Sequence, residues 1–271
     1  MTDSTTIPHT LFDDHTAVTA LGDGRFRAHM HPHWWVLVGP NGGYVAAVML
    51  RALEEAVGDR SRQARTLTLH YLAPPAEGDV EIEVVIEREG RSLTSVSARM
   101  TQNGRPLVRA LAAFSKSRPG PEFRHMPMPE AALPEQGTPG EGRIVMHDRY
   151  EYRWLGGGQP DGGAERAEIQ SWLRLAEPRT VDTLALAAYC DALPPALFAV
   201  VGPETLRGVP TVELTIHFLA EVPLPSARPD DFVLLTVETP QVVSGFLQED
   251  VAIWSRDGVL LARSRQLALN I

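Results

Sequence analysis

Cysteine is nearly absent from this chain: Cys190 is the single one among 271 residues. No disulfide can therefore close within the chain and no cysteine-based zinc cluster can be built, which fits a reducing compartment. Long apolar runs are missing as well; none approaches the roughly 20 residues that a helix needs to cross a bilayer. The opening stretch MTDSTTIPHTLFDDHT is acidic and polar with no apolar centre, so no secretory signal is expected and a cytoplasmic location is. Positive charge is also in short supply. The formal net charge of −9 argues against a broad nucleic-acid-binding surface and leaves room only for a local basic patch able to hold a phosphate. The chain carries no G-x-S-x-G elbow, phosphate-binding P-loop, dinucleotide fingerprint or H-E-x-x-H zinc motif.

What is present is a repeat. LTLHYLAPP (67–75) returns as LTIHFLAEVP (214–223), with Leu, Thr, His, Leu and Ala in register at an offset of 147. MTQNGRPLVRA (100–110) resembles WSRDGVLLARS (254–264) at an offset of 154, each with Asn-Gly or Asp-Gly between alternating runs, a hairpin signal. The gain of about seven residues in the second half falls at LPSARPDD (224–231), whose prolines and charges mark a loop. Upstream of each phrase lies a helical segment. NGGYVAAVMLRALEEAVG (41–58) has Asn41 as a start signal and an apolar stripe of Val45, Met49, Leu50, Leu53 and Val57. VDTLALAAYCDALPPALFAVVG (181–202) has Asp182 as its cap, and Pro194–Pro195 should kink or interrupt it.

Alternating runs follow each helix: 79–89 and 92–102 in the first half, 231–240 and 245–258 in the second. Residues 117–142 are rich in Pro and Gly and read as a linker rather than a packed element. The expected organisation is α+β: an N-terminal repeat over 1–117, a linker over 118–142 and a C-terminal repeat over 143–271. Each repeat is one apolar helix wrapped by about five antiparallel strands, and the two sheets pair edge to edge so that neither leaves that edge open.

These phrases resemble the acyl-CoA thioesterase II (TesB-like) family of double hotdog proteins over most of the chain. NGGYVAAVMLRAL lies where that family begins its first helix, and the Gln-Asn-Gly turn at 102–104 fits its strands. AAYCDALPPAL, PTVELTIHFLA and SRDGVLLARSRQ fall where the family carries a catalytic Asp, Thr and Gln. The resemblance thus implies a double hotdog fold, an acyl-CoA thioesterase activity, no cofactor, no bound metal, and Asp191, Thr211 and Gln266 as catalytic residues. Cys190 stands where the family has Ser, and Gln266 is followed by Leu267–Ala268 instead of Glu-Gly.

The residue types suit that chemistry. Thioester hydrolysis needs a held water, a base for its proton and donors facing the developing oxyanion. An Asp with an ordinary pKa of about 3.9 is ionised at neutral pH, while a Thr hydroxyl and a Gln amide can each donate and accept. The backbone N–H groups of Gly42 and Gly43, at a helix start, are expected to meet the thioester oxygen. At the repeat offsets Asp191 corresponds to Tyr44, Thr211 to Ala64 and Gln266 to Ala112, so one catalytic set per chain is expected, in the second half. Strict alternation puts Thr211 on one face with Glu213, Thr215 and His217.

Other residues attract blander readings. His70 and His217 recur as a pair and so suggest a shared structural role. Cys190 has no evident His partner and reads as a small buried residue. His29, His31 and His33 alternate in HMHPHWW, but Pro32 interrupts them and no carboxylate pattern accompanies them. Arg65, Arg109, Arg263 and Arg265 are the candidates for holding CoA phosphates. A hotdog enoyl-CoA hydratase and a non-catalytic acyl-CoA-binding or lipid-binding protein are the alternatives, and a homo-oligomer is plausible.

Overall fold

The computed structural model describes residues 9–271 except 38, 157, 158 and 206, so the first half of the stretch read above as lacking a signal, residues 1–8, lies outside the described residues. Along the chain run α1 (Leu11–Thr16), β1 (Val18–Gly22), β2 (Arg25–Met30), α2 (Gly42–Val57), β3 (Gln63–Tyr71), β4 (Gly78–Glu89), β5 (Leu93–Gln102) and β6 (Arg105–Ser115). The second half has β7 (Thr138–Pro139), β8 (Tyr150–Trp154), β9 (Glu168–Leu175), α3 (Thr183–Tyr189), α4 (Phe198–Val201), β10 (Thr211–Phe218), β11 (Val233–Val243), β12 (Phe246–Trp254) and β13 (Leu260–Leu269). Among the described residues no helix is long and apolar enough to cross a membrane.

The strands form one antiparallel sheet in the order β1-β2-β4-β5-β6-β3-β10-β13-β12-β11-β9-β8-β7. Read outward from β3 and β10, the two halves mirror each other: β6, β5, β4 and β2 on one side match β13, β12, β11 and β9 on the other. The seam is made by the duplicated phrases themselves. Thr68 pairs with Thr215 at its centre, flanked by Leu67 with Ile216 and Leu69 with Leu214. The two threonine hydroxyls lie 3.0 Å apart and share a hydrogen bond. The apolar partners on either side are fully buried, whereas His70 and His217 point outward and are exposed. Strands β1, β2, β8 and β9, all upstream of the helices, were not recognisable in the sequence as parts of the repeat.

The first helix matches its expected bounds. Asn41 caps it by accepting from the Tyr44 N–H, and Gly58 closes it in the left-handed region at φ 64°, where a side chain would be strained. The second helix is shorter than expected. It ends at Tyr189, before Pro194–Pro195, and only the short α4 resumes beyond them. The helices run antiparallel: Gly43 at the start of α2 meets Asp191 just past the end of α3, and Thr183 at the start of α3 donates to Glu54 near the end of α2 at 2.6 Å.

The Pro/Gly-rich segment has no long element, yet it is not a free linker. The Trp172 indole donates to the Ala132 carbonyl at 2.8 Å, and Met128 and Ala131 cover a second apolar cluster of Trp172, Phe232, Leu234, Ala252 and Trp254. Its last residues form β7, paired with β8. The reason is visible in β11, where Val233, Leu234 and Leu235 are buried on both faces; the outward face needs a cover, and residues 128–139 supply it.

Candidate active site

Asp191 enters the site from the chain just past α3. Its carboxylate Oδ2 accepts from the Asn41 amide at 2.8 Å and from the Gly43 N–H at 3.2 Å, and its backbone carbonyl accepts from the same Asn41 amide at 2.6 Å. Asn41 therefore both caps α2 and holds Asp191. The close approach depends on glycine. A Cβ on Gly43 would lie 2.4 Å from the Ala188 carbonyl oxygen, and one on Gly42 would lie 3.0 Å from Asp191 Oδ2. Tyr71 braces the same turn by donating to the Gly42 carbonyl at 2.8 Å.

Burial pushes the Asp191 carboxyl up to about 6, against the opposing pull of the Gly43 and Gly42 N–H groups, the Gln266 amide and Asn41. The positive end of α2 offsets part of the cost of holding a charge there. The expectation for Gly42 and Gly43 is altered on this point: the Gly43 N–H is engaged by Asp191, not left open for a substrate oxygen.

Thr211 and Gln266 meet directly. The Thr211 hydroxyl donates to Gln266 Oε1 at 2.8 Å. Strict alternation places Thr211 on the wrong face, and a β-bulge is why. Thr211 pairs with Ala268 and Glu213 with Leu267, so Val212 is an extra residue and Thr211 turns to the inner face shared by Gln266. The first half keeps the same bulge, with Ala64 opposite Phe114 and Thr66 opposite Ala113. Gln266 lies opposite Leu214 as Ala112 lies opposite Leu67, so both strand correspondences hold in the structure. The third does not. Counted from the helix caps Asn41 and Asp182, Asp191 matches Leu50 rather than Tyr44, because the connection from helix to strand is longer in the second half.

The structure adds a residue that the sequence did not single out. Glu249 on β12 is 3% exposed, and its Oε1 accepts from Gln266 Nε2 at 2.8 Å. Burial pushes its carboxyl up to about 7; the Ala196 N–H, Gln266 and Thr239 pull it down while the Asp191 charge adds to the rise. Alternation is the signal that marks it: Glu249 shares the face of Leu247, Val251 and Ile253, whereas its neighbour Asp250 faces the other way and pairs with Arg265 at the surface.

Other candidates lie apart from this cluster. Burial pushes the Cys190 thiol up to about 12, so it stays protonated and unreactive. Arg65 pairs with Glu221 and Arg265 with Asp250, while Arg109 and Arg263 are exposed on the strands flanking the seam. His29 bonds Asp79 at 2.8 Å, and His15 instead joins His31 and His33. One ring nitrogen of each lies within 4.8 Å of the others, but His31 and His33 both stack on His15. The Trp34 indole donates to His15 Nδ1 at 3.1 Å, which occupies that lone pair and leaves the proton of the neutral ring on Nε2. A cavity of about 460 Å³ lies near the β12–β13 turn, bounded by Val222, Leu224, Arg228, Phe232 and Leu261. None of Asp191, Thr211 or Gln266 lines it, and its carboxylates, Asp231 and Asp257, are not buried. The chemistry therefore points to the polar cluster, not to that cavity.

Residues 128–270 match the acyl-CoA thioesterase C-terminal domain and residues 31–115 the N-terminal domain. The chain belongs to the acyl-CoA thioesterase family. An uncharacterised protein of Mycobacterium tuberculosis is 26% identical over 90% of each chain. A hot dog fold protein of unknown function from Alicyclobacillus acidocaldarius superposes with a TM-score of 0.87 at 28% identity, covering 97% of this chain and 99% of that one. The acyl-CoA thioesterase II TesB2 of Mycobacterium marinum shares the fold, with a TM-score of 0.79 at 20% identity over 96% and 98% of the two chains. The α+β architecture is of the hotdog type.

Proposed function

We propose that this family member is a double hotdog acyl-CoA thioesterase that hydrolyses an acyl-CoA to free CoA and a carboxylic acid. The observation that carries this reading is the partly buried Asp191 carboxylate, raised to about 6 and set against the start of α2 beside the Thr211–Gln266 pair. At neutral pH Asp191 is mostly ionised yet basic enough to take a proton from water. Because Thr211 donates to Gln266, the Thr211 oxygen keeps its lone pairs for a hydrogen of that water. Asp191 accepts the other hydrogen as the water oxygen adds to the thioester carbon. The tetrahedral intermediate then expels the CoA sulfur, which recovers the proton from Asp191, and the acid leaves. The positive end of α2, bare of side chains at Gly42 and Gly43, favours negative charge on an oxygen brought beside it. No step requires a metal or cofactor.

The test is to incubate the chain with acyl-CoAs of several lengths and follow thiol release. Release with at least one chain length supports hydrolysis. Loss of enoyl absorbance without thiol would assign a hydratase, and thermal stabilisation by acyl-CoA without product would assign a binding protein.

A further inference from the structure

Glu249 sits directly opposite Gln266 in the β12–β13 ladder and is held from three sides. Its Oε2 accepts from the Ala196 N–H at 2.7 Å and from the Thr239 hydroxyl at 3.2 Å, and its Oε1 accepts from Gln266 Nε2 at 2.8 Å. Among the described residues no Lys, Arg or His pairs with it. Burying a carboxylate without a cation is expensive. The fold does not demand it, because the first half shows the apolar solution at the same place. There Val96 lies opposite Ala112, and both are buried.

An ionised carboxylate only accepts, so it decides which end of the Gln266 amide faces it. Nε2 must point to Glu249, and Oε1 must point away, to Thr211. Thr211 is then obliged to donate to Gln266 and to offer its lone pairs elsewhere. Asp191 also draws on the Gln266 amide, but Glu249 is the acceptor within hydrogen-bond distance of Nε2; without it the amide is held less firmly, and the opposite orientation would make Thr211 a donor into the site.

We infer that Glu249 is a positioning residue that sets the hydrogen-bond polarity of the Gln266–Thr211 pair and thereby orients the attacking water. The last clause rests on the hydrolase reading; the control of the amide does not. The groups facing Glu249 are the Ala196 N–H from the segment before α4, Thr239 from β11, Gln266 from β13 and the charge of Asp191. Asp191 is the titratable one among them.

The probe is E249Q, which keeps the shape and reverses one polarity. The Ala196 N–H holds the new amide oxygen, so the new NH₂ faces Gln266 and turns its amide round. Thiol-release kinetics should show kcat lowered about 10- to 100-fold with KM changed less than about 3-fold. In a Gln266→Ala background the same substitution should cost less than about 3-fold, because its effect is transmitted through Gln266. An equal loss in both backgrounds would mean a general structural role and would overturn the inference. A second readout does not need activity. In ¹⁵N-labelled wild-type chain the Gln266 side-chain amide signals should shift with pH between about 5.5 and 8.5 as Glu249 titrates. Signals that stay fixed across that range overturn the inference even if thioesters are hydrolysed. In D191N, where residue 191 no longer titrates, the signals should still move: movement there, with a wild-type chain that releases no thiol, upholds the control of the amide and rejects the hydrolase reading alone, and signals fixed in D191N overturn the inference.

Discussion

Replacing Asp191 with Asn separates what the carboxylate does for activity from what it costs the fold. The hydrogen bonds from the Asn41 side chain and the Gly43 N–H both go to one oxygen, Oδ2, so an Asn amide oxygen can accept them in the same place. The variant should therefore fold. Loss of a general base should lower kcat by roughly 10²–10⁴. Stability should move the other way. Burial raises the group from 3.8 to about 6, a shift of about two units, which at 1.36 kcal/mol per unit amounts to about 3 kcal/mol. An acid whose pKa is raised on folding weakens the fold where it is ionised in both states. That penalty is complete above about pH 6, shrinks as the pH falls, and is gone below about pH 4.

D191N should thus be more stable than wild type at pH 7.5, by up to about 3 kcal/mol less whatever the Gln266 contact loses, with the difference vanishing towards pH 4. Urea titrations of both proteins from pH 4 to 7.5, run beside thiol-release assays, measure the two effects. Wild-type-like turnover would remove Asp191 from the mechanism. A variant less stable at pH 7.5 than wild type would refute the claim that burial outweighs its hydrogen bonds.

Gly43→Ala should lower the melting temperature by several degrees, since its Cβ would lie 2.4 Å from the Ala188 carbonyl and overpacking of this kind costs about 1–3 kcal/mol; an unchanged melt would disprove the contact between the helices. At the seam, Thr68→Val or Thr215→Val alone should cost about 1 kcal/mol in urea, and the double variant less than the sum, because the two hydroxyls serve each other; strict additivity would deny the shared bond. Cys190 should resist iodoacetamide at pH 8 in the native chain and react fully in denaturant; rapid native labelling would show an accessible thiolate.

Much of this molecule was legible because repetition is a pattern in the sequence, and it survives into the strand ladder. The phrases around Thr68 and Thr215 become the central pair, and Asn103 and Gly104, with φ of 52° and 76°, make the tight hairpin that their types foretell. What escaped were mostly features set by partners distant in the sequence. The bulge at Val212 inverts the face of Thr211, and only the partner strand reveals it. Glu249 does share the parity of Leu247, Val251 and Ile253, but only its bond from Gln266 shows why an acid stands on that buried face. The segment around Met128 reads as linker by composition, yet it is recruited because β11 is apolar on both sides. Counting Asp191 onto Tyr44 failed because an offset taken from strands does not carry across a connection of different length.

The asymmetry of the two halves explains why a duplicated fold makes a single candidate site. The antiparallel helices create two similar junctions, each with a partly buried carboxylate at a helix start. Asp191 meets Gly42 and Gly43 at one, and Glu54, raised by burial to about 7, meets Thr183 at the other. A raised carboxylate is thus a property of the architecture and does not by itself distinguish a base. The sheet beneath makes the difference. On the Asp191 side it presents Thr211, Gln266 and Glu249, whereas the matching positions hold Ala64, Ala112 and Val96, all buried and unable to hold a water. Polar side chains in a sheet interior are costly unless they satisfy one another, and these three do so in a chain that ends on Ala196 and Thr239. Such a chain cannot be lost one member at a time without stranding the next, which is a physical reason for one half to hold the complete set while its counterpart is wholly apolar.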